Sequence, residues 1–256
     1  MKADNFVLQD YLNRIDYRGA AKADMATVAN MMRQQLFTVP FENLDVQAGK
    51  IVSLVPEEIV AKILLRHRGG YCYEVNALFA MALQALGIPY QFVAARPLFY
   101  PVRRPKTHMA IVLQMAGEQW LCDLGFGSYG IRAPMRLNEV EVEVRQDGDC
   151  FVLSKASERD YVLKALVDGE WVNQYGFDLS PQEWIDFIPA NYLNSTHPDA
   201  IFVQKLLIVL HDPAGRSILF GDSLKTVKNG KTEKQIIAPA DRDGILAEKF
   251  GLTLNS

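Results

Sequence analysis

An α+β fold is predicted, with an N-terminal helical lobe, a central antiparallel sheet or small β-barrel, and a C-terminal α/β lid. Three observations carry this expectation. Apolar residues recur at helical spacing through residues 1–87. Short β-rich runs replace them from Tyr90 onwards, and helix and strand patterns mix in the last quarter of the chain. The lobes are expected at 1–87, 88–190 and 191–256. No Pro/Ser-rich linker separates them, so they should pack together rather than swing freely.

In the first lobe, residues 6–15, 23–36, 56–67 and 72–86 show helix periodicity. Asp24 and Ser53 stand near helix starts, and Gly87 followed by Pro89 stands beyond an end. In the second, 90–94, 108–113, 120–124, 140–144 and 151–153 read as strands divided by Gly and Asp-Gly turns. The third contributes a helix beginning upstream at 181–188, strands at 206–211 and 217–220, and a closing helix at 241–250. Asn229-Gly230 reads as a hairpin turn.

Within this frame the chemistry centres on Arg68-Gly69-Gly70-Tyr71-Cys72-Tyr73-Glu74-Val75-Asn76. The paired glycines can take backbone angles that other residues resist. Val75, Leu78, Phe79, Ala82 and Leu86 then mark one apolar helix face, which puts Cys72 at a helix N-terminus. Unpaired N–H groups and the macrodipole there favour negative charge, so the thiolate, the reactive form, should be populated more readily than in free cysteine. An isolated cysteine on such a helix is ordinarily a small buried hydrophobe. Its companions change that reading.

His108 and Asp123 are placed by counting. The strands at 108–113 and 120–124 flank a segment containing Gly117, a hairpin pattern. An even loop, such as the four residues 115–118, pairs Gln114 with Gln119 and sets Asp123 opposite Ala110. Asp123 then lies diagonal to His108 on one face, about 7–8 Å away between backbones. An odd loop would separate the two. A carboxylate on one imidazole nitrogen fixes the tautomer and leaves the other nitrogen to take the Cys72 proton, giving nucleophile, base and orienter.

Composition bounds the alternatives. A chain of 256 residues that is 49% hydrophobic and 22% charged can bury a substantial core. Its apolar runs are too short to cross a bilayer, and the first residues lead into no signal-peptide block, so a cytoplasmic location is expected. Three cysteines cannot all pair, and a reducing compartment keeps Cys72 a thiol. A net charge of −3 gives no basic footprint for nucleic acid. Arg96, Arg103, Arg104 and Lys106 nonetheless cluster before His108, either as a solvated loop or as an attraction for a phosphorylated donor. Residues 125–130 fit G-x-G-x-x-G, but no helix pattern follows, so they read as a glycine-permitted turn or a loop closing on Cys72. No metal site is expected, since Cys122 should face away from Asp123 and no paired Cys or His spacing typical of zinc is present.

The motif at 68–76, Thr38-Val39-Pro40-Phe41-Glu42-Asn43-Leu44 upstream, His108 before its apolar strand, Asp123-Leu124-Gly125-Phe126-Gly127, Tyr11 to Ile15 and Asn191 to Pro198 together resemble the arylamine N-acetyltransferases. The resemblance implies a Cys72–His108–Asp123 triad and ping-pong transfer of acetyl from acetyl-CoA to an arylamine, hydrazine or arylhydroxylamine. It suggests an acceptor pocket lined by Phe37, Tyr71, Phe126 and Phe202, and donor contacts at Lys106, Thr107, Gly127 and His197. The residues themselves leave two other readings open, a papain- or transglutaminase-like enzyme using the same triad and a binding protein without turnover, and the resemblance also leaves open an amide synthase acting on a carrier-bound acyl chain.

Overall fold

The computed structural model describes residues 1–253. Its first segment is helical. α1 (Leu8–Arg14) and α2 (Met25–Thr38) precede a short strand β1 (Phe41–Glu42), a one-turn α3 (Leu44–Gln47), and α4 (Pro56–Val60), which continues as a π-helical turn over Ala61–Leu65. Asp24 caps α2 by accepting from the Thr27 N–H at 2.8 Å. α5 (Cys72–Ala85) then runs through the middle of the molecule along the strand that bears His108. The sequence suggested one apolar face for α5, but every residue from Cys72 to Leu83 is buried. A helix enclosed on all sides must satisfy its polar side chains internally, and Glu74 and Asn76 do so at the site described below.

Strands β2 (Tyr90–Pro97), β3 (His108–Met115), β4 (Glu118–Cys122), β5 (Met135–Arg136), β6 (Glu143–Gln146), β7 (Asp149–Lys155), β8 (Asp160–Val167) and β9 (Glu170–Asp178) form an antiparallel sheet in the order β5-β4-β3-β2-β9-β8-β7-β6, nearly closed into a barrel. The β8–β9 hairpin extends the β-rich region beyond the runs legible in sequence. In β8 the alternation is masked because Val162 and Leu166 put apolar side chains on the face opposite buried Tyr161, Leu163 and Ala165. The run expected at 140–144 is displaced to Glu143–Gln146, because Glu141 takes a left-handed φ of 55° and leaves Val140 with an isolated bridge to Leu153.

After β9, a 3₁₀ turn (Trp184–Phe187) leads into α6 (Ile188–Thr196) and α7 (Ile201–Gln204). The helix expected at 181–188 therefore lies later, with Pro189 in its first turn, where a missing N–H costs nothing. β10 (Leu207–Asp212), β11 (Gly215–Phe220), β12 (Ser223–Lys228) and β13 (Lys231–Ile236) make a second antiparallel sheet, closed by α8 (Arg242–Phe250). Asn229 and Gly230 both have positive φ and connect paired Lys228 and Lys231, the two-residue turn expected.

The segments interlock. β1 pairs with β10, Phe41 opposite Val209, joining the helical segment to the last sheet. One apolar cluster runs from Tyr11 through α5 and the large sheet to Val209, and a smaller one lies under α8. No helix among the described residues is long and apolar enough to cross a membrane.

Candidate active site

The β3–β4 hairpin sets the first distance. Ile111 pairs with Cys122 and Gln114 with Gln119, so Asp123 follows directly on the register that counting suggested. The loop is shorter than the four residues allowed for: Met115 pairs with Glu118, leaving Ala116 and Gly117, both at positive φ. The even parity is the same. His108 Nε2 lies 2.7 Å from Asp123 Oδ2, with both side chains buried. Cys72 is close enough to the imidazole to favour its charged form.

Burial opposes a charged His108. The Asp123 carboxylate, its hydrogen bond and the Cys72 contact outweigh that penalty and push the imidazole up to about 10. Asp123 is itself held by more than the histidine. Its Oδ1 accepts from Asn76 Nδ2 at 3.2 Å and from the Gly125 N–H at 2.9 Å. Asn76 also donates to the Met109 carbonyl at 2.7 Å and accepts from the Leu124 N–H at 2.9 Å. It stands one helical turn beyond Cys72, so a single side chain ties α5 to both strands of the hairpin. Its i+4 spacing from Cys72 was visible in sequence, but its role required the sheet.

A second set of contacts fixes the turn before Cys72. Glu74 Oε2 accepts the Tyr71 N–H at 3.0 Å, and Glu74 Oε1 meets Lys62 Nζ at 2.7 Å. Lys62 also lies 2.6 Å from Asp45, while Arg68 pairs with Glu42 at 2.8 Å. The glycines in this turn serve a purpose other than the one expected. Neither has positive φ. A Cβ on Gly69 would sit 1.9 Å from the Pro40 carbonyl oxygen, and one on Gly70 2.6 Å from Glu74 Oε2. They are there for close approach. Gly125 repeats the device across the site, where a Cβ would fall 2.4 Å from Cys72 Cα.

Above this line of side chains lies a cavity of about 630 Å³. Cys72 and His108 open into it, and Phe126, Phe202 and Phe99 form much of its wall. Phe126 packs against the rings of His108 (5.1 Å between centroids) and Tyr175 (4.8 Å). Asn43 positions Phe202 by donating to its carbonyl at 2.7 Å. His211 holds the Phe126 loop from behind: its Nε2 meets the Gly127 carbonyl at 3.1 Å, and burial beside Arg132 and Arg216 lowers it to about 3, which keeps the ring neutral. Nothing in the position of His211 along the chain connects it to this loop, which only the packing of β10 against it reveals.

Of the residues suggested for acceptor and donor, Phe126, Phe202, Thr107, Gly127 and His197 line the cavity. Three do not. Phe37 is a correction: it lies on α2, half-buried under the Arg33 guanidinium at 4.8 Å, because the helix turns that face away from the cavity. Tyr71 stands behind the wall, bonded through its hydroxyl to Asn191 and Ser195 and edge-on to Phe202 at 5.4 Å. Lys106 is also a correction, its ammonium drawn off to Asp178 on β9. The Thr107 carbonyl beside it is gripped by Tyr73 Oη at 2.8 Å and Asn194 Nδ2 at 3.0 Å. Among the described residues, no three His, Cys, Asp or Glu side chains gather in a group able to hold a metal ion.

A family model described as N-acetyltransferase matches residues 24–256. An arylamine N-acetyltransferase of Escherichia coli is 30% identical over 251 residues, covering 96% of this chain and 89% of that one. The arylamine N-acetyltransferase structure from Mycobacterium abscessus superposes with a TM-score of 0.91 at 30% identity, covering 99% of this chain and 92% of that one. The Mycobacterium marinum arylamine N-acetyltransferase, solved in complex with CoA, gives 0.90 at 30% identity over 96% of this chain and 92% of that one.

Proposed function

The chain belongs to the arylamine N-acetyltransferase family, and from that premise we propose that it moves acetyl from acetyl-CoA to the nitrogen of arylamines, hydrazines or arylhydroxylamines by a ping-pong reaction through an acetyl-cysteine on Cys72. The observation that carries this reading is the buried line from Asp123 through His108 to Cys72 at the floor of an apolar-walled cavity.

In the resting enzyme His108, raised to about 10, already holds a proton at neutral pH, and in the first half-reaction the Cys72 sulfur attacks the thioester carbonyl. The tetrahedral oxyanion forms beside the first turn of α5, whose N–H groups and dipole favour negative charge. Collapse breaks the carbon–sulfur bond to coenzyme A, which leaves with the proton held on His108. In the second half-reaction the acceptor nitrogen attacks the acetyl-cysteine, His108 receives the nitrogen's proton, and the Cys72 sulfur is expelled. Asp123 stabilises the imidazolium throughout. Phe126 and Phe202 offer flat apolar faces to an aromatic acceptor, while Thr107, Gly127 and His197 stand where the donor would pass.

Intact-mass measurement tests the scheme. Acetyl-CoA alone should add one acetyl group to the protein, and an arylamine or hydrazine should then remove it with formation of the N-acetyl product. Cys72→Ala should gain none, whereas substitution of Cys122 or Cys150 should leave the adduct intact. A wild-type protein that stays unmodified, or an adduct that survives in Cys72→Ala, would overturn the proposal. Cleavage of peptide amides without acetyl transfer would point instead to a protease-like use of the same side chains.

A further inference from the structure

Strand β9 carries a bulge where it passes the cavity. Leu163 pairs with Tyr175 and Lys164 with Asn173, so Gln174 is an extra residue with no partner opposite it on β8. Neighbours along an unbroken strand point to opposite faces, yet Gln174 and Tyr175 are both buried, at 3% and 0% exposure. The bulge turns the Gln174 side chain into the cavity, whose wall it joins with Val167, Val172, Phe99 and Phe126. Contacts on either side hold it there. The Gln174 backbone carbonyl accepts the Leu98 N–H at 2.9 Å, next to Phe99, whose ring lies 5.8 Å from that of Phe126. The adjoining Tyr175 ring lies 5.0 Å from the His108 ring.

The side-chain amide is oriented by its own strand. Gln174 Nε2 donates to the Val172 carbonyl at 2.9 Å. A carbonyl only accepts, so the NH₂ is fixed on that side and Oε1 is directed away from it. Among the described residues no donor reaches Oε1. A single amide oxygen in a wall that is otherwise apolar on this side is the kind of polar group that fixes how a small ligand lies. Such an oxygen pairs with an N–H or O–H and has nothing to share with an ether oxygen.

We infer that Gln174 is a specificity-determining residue for the acceptor, its Oε1 accepting a hydrogen bond from a hydroxyl, amino or amide N–H group carried on the ring away from the nitrogen that is acetylated. The inference rests on the acceptor class assigned above. It gives the cavity a preference among arylamines that Phe126 and Phe202, which offer only ring faces, cannot supply.

The test compares anilines matched in size: meta- and para-aminophenol, which carry a donor, against meta- and para-methoxyaniline, which do not. The readout is the ratio of kcat/KM within each pair, compared between wild type and Gln174→Met, so that the intrinsic reactivity of each aniline cancels. Methionine is close to glutamine in length and lacks the amide. In the pair whose hydroxyl reaches Oε1, the ratio should be about two- to tenfold higher in wild type than in the variant, the worth of one neutral hydrogen bond. Gln174→Leu should repeat the result, and thermal unfolding identifies a variant that has lost its fold. Equal ratios in wild type and a folded variant would overturn the inference, as would a wild type that favours neither aminophenol over its methoxy counterpart. A loss shared equally by both anilines would make Gln174 a structural residue of the bulge and likewise refute it. Single-turnover acetylation of Cys72, read by intact mass, separates the donor. A defect confined to that step would assign the oxygen to the amide N–H groups of the pantetheine arm and overturn the acceptor contact. Wild-type acetyl transfer to aniline itself is the control. Its failure would refute the proposed function, whereas absent discrimination in an active enzyme refutes only this contact.

Discussion

Replacing Asp123 by Asn separates charge and tautomer from shape. The two Asp123 oxygens have different duties: Oδ1 accepts from Asn76 and the Gly125 N–H, and Oδ2 meets His108 Nε2. An asparagine would keep its carbonyl oxygen towards the two donors and turn its NH₂ to His108. Nε2 must then accept, the ring proton moves to the nitrogen facing Cys72, and that nitrogen can no longer take the thiol proton. The amide can escape by turning over, but this sets its NH₂ against the donors of Asn76 and Gly125. Leaving two buried donors unpaired costs about 1–3 kcal/mol each, or roughly 2–6 kcal/mol together. At ~1.4 kcal/mol per factor of ten, acetylation of Cys72 should slow by about thirtyfold to about 10⁴-fold, the upper end matching the loss seen when a triad carboxylate becomes an amide. Single-turnover acetylation followed by intact mass gives the rate, and thermal unfolding checks that the fold survives. A fall of less than about tenfold in a folded protein would show that Asp123 only closes the hairpin end and that the tautomer argument is wrong.

Three further outcomes follow from the same geometry. Gly69→Ala drives a methyl into the Pro40 carbonyl, a backbone atom that cannot rotate away. It should cost at least about 1–3 kcal/mol in chemical denaturation, whereas Gly244→Ala in α8, with open space around it, should be neutral or stabilising. The His108 imidazole is raised from 6.5 to about 10, so its contribution to stability is complete below pH 6.5 and is lost as pH rises through about 10. Melting temperature should accordingly fall more steeply across that window in wild type than in His108→Gln, and parallel curves would refute the assignment. Phe126→Ala should reduce use of bulky arylamines relative to small hydrazines by up to about tenfold, the worth of a ring contact of about 0.5–1.5 kcal/mol, while acetylation by acetyl-CoA changes less. Equal losses for both acceptors would move Phe126 out of the acceptor wall.

Cys72, His108 and Asp123 were legible before any coordinates because local rules govern them. The glycine break and the helical repeat place the cysteine at a helix start, and the period-two alternation of a short hairpin decides whether His108 and Asp123 share a face. The order of helices and strands and the turn at Asn229-Gly230 are local in the same sense. Tertiary structure decided everything that depends on contacts between residues far apart in the chain. The paired glycines looked like a backbone device and prove to be a matter of clearance, since only the packed fold brings the Pro40 carbonyl within 1.9 Å of a Gly69 Cβ. Asn76, Glu74 and His211 look like ordinary polar residues until α5 is enclosed and each must find a partner from another element. Phe37 and Lys106 read as site residues because neighbouring motifs suggested it. A helix face turned the first away, and Asp178, more than seventy positions along the chain, drew the second aside. Periodicity belongs to the chain, but which partner satisfies a buried charge is a property of the packed molecule.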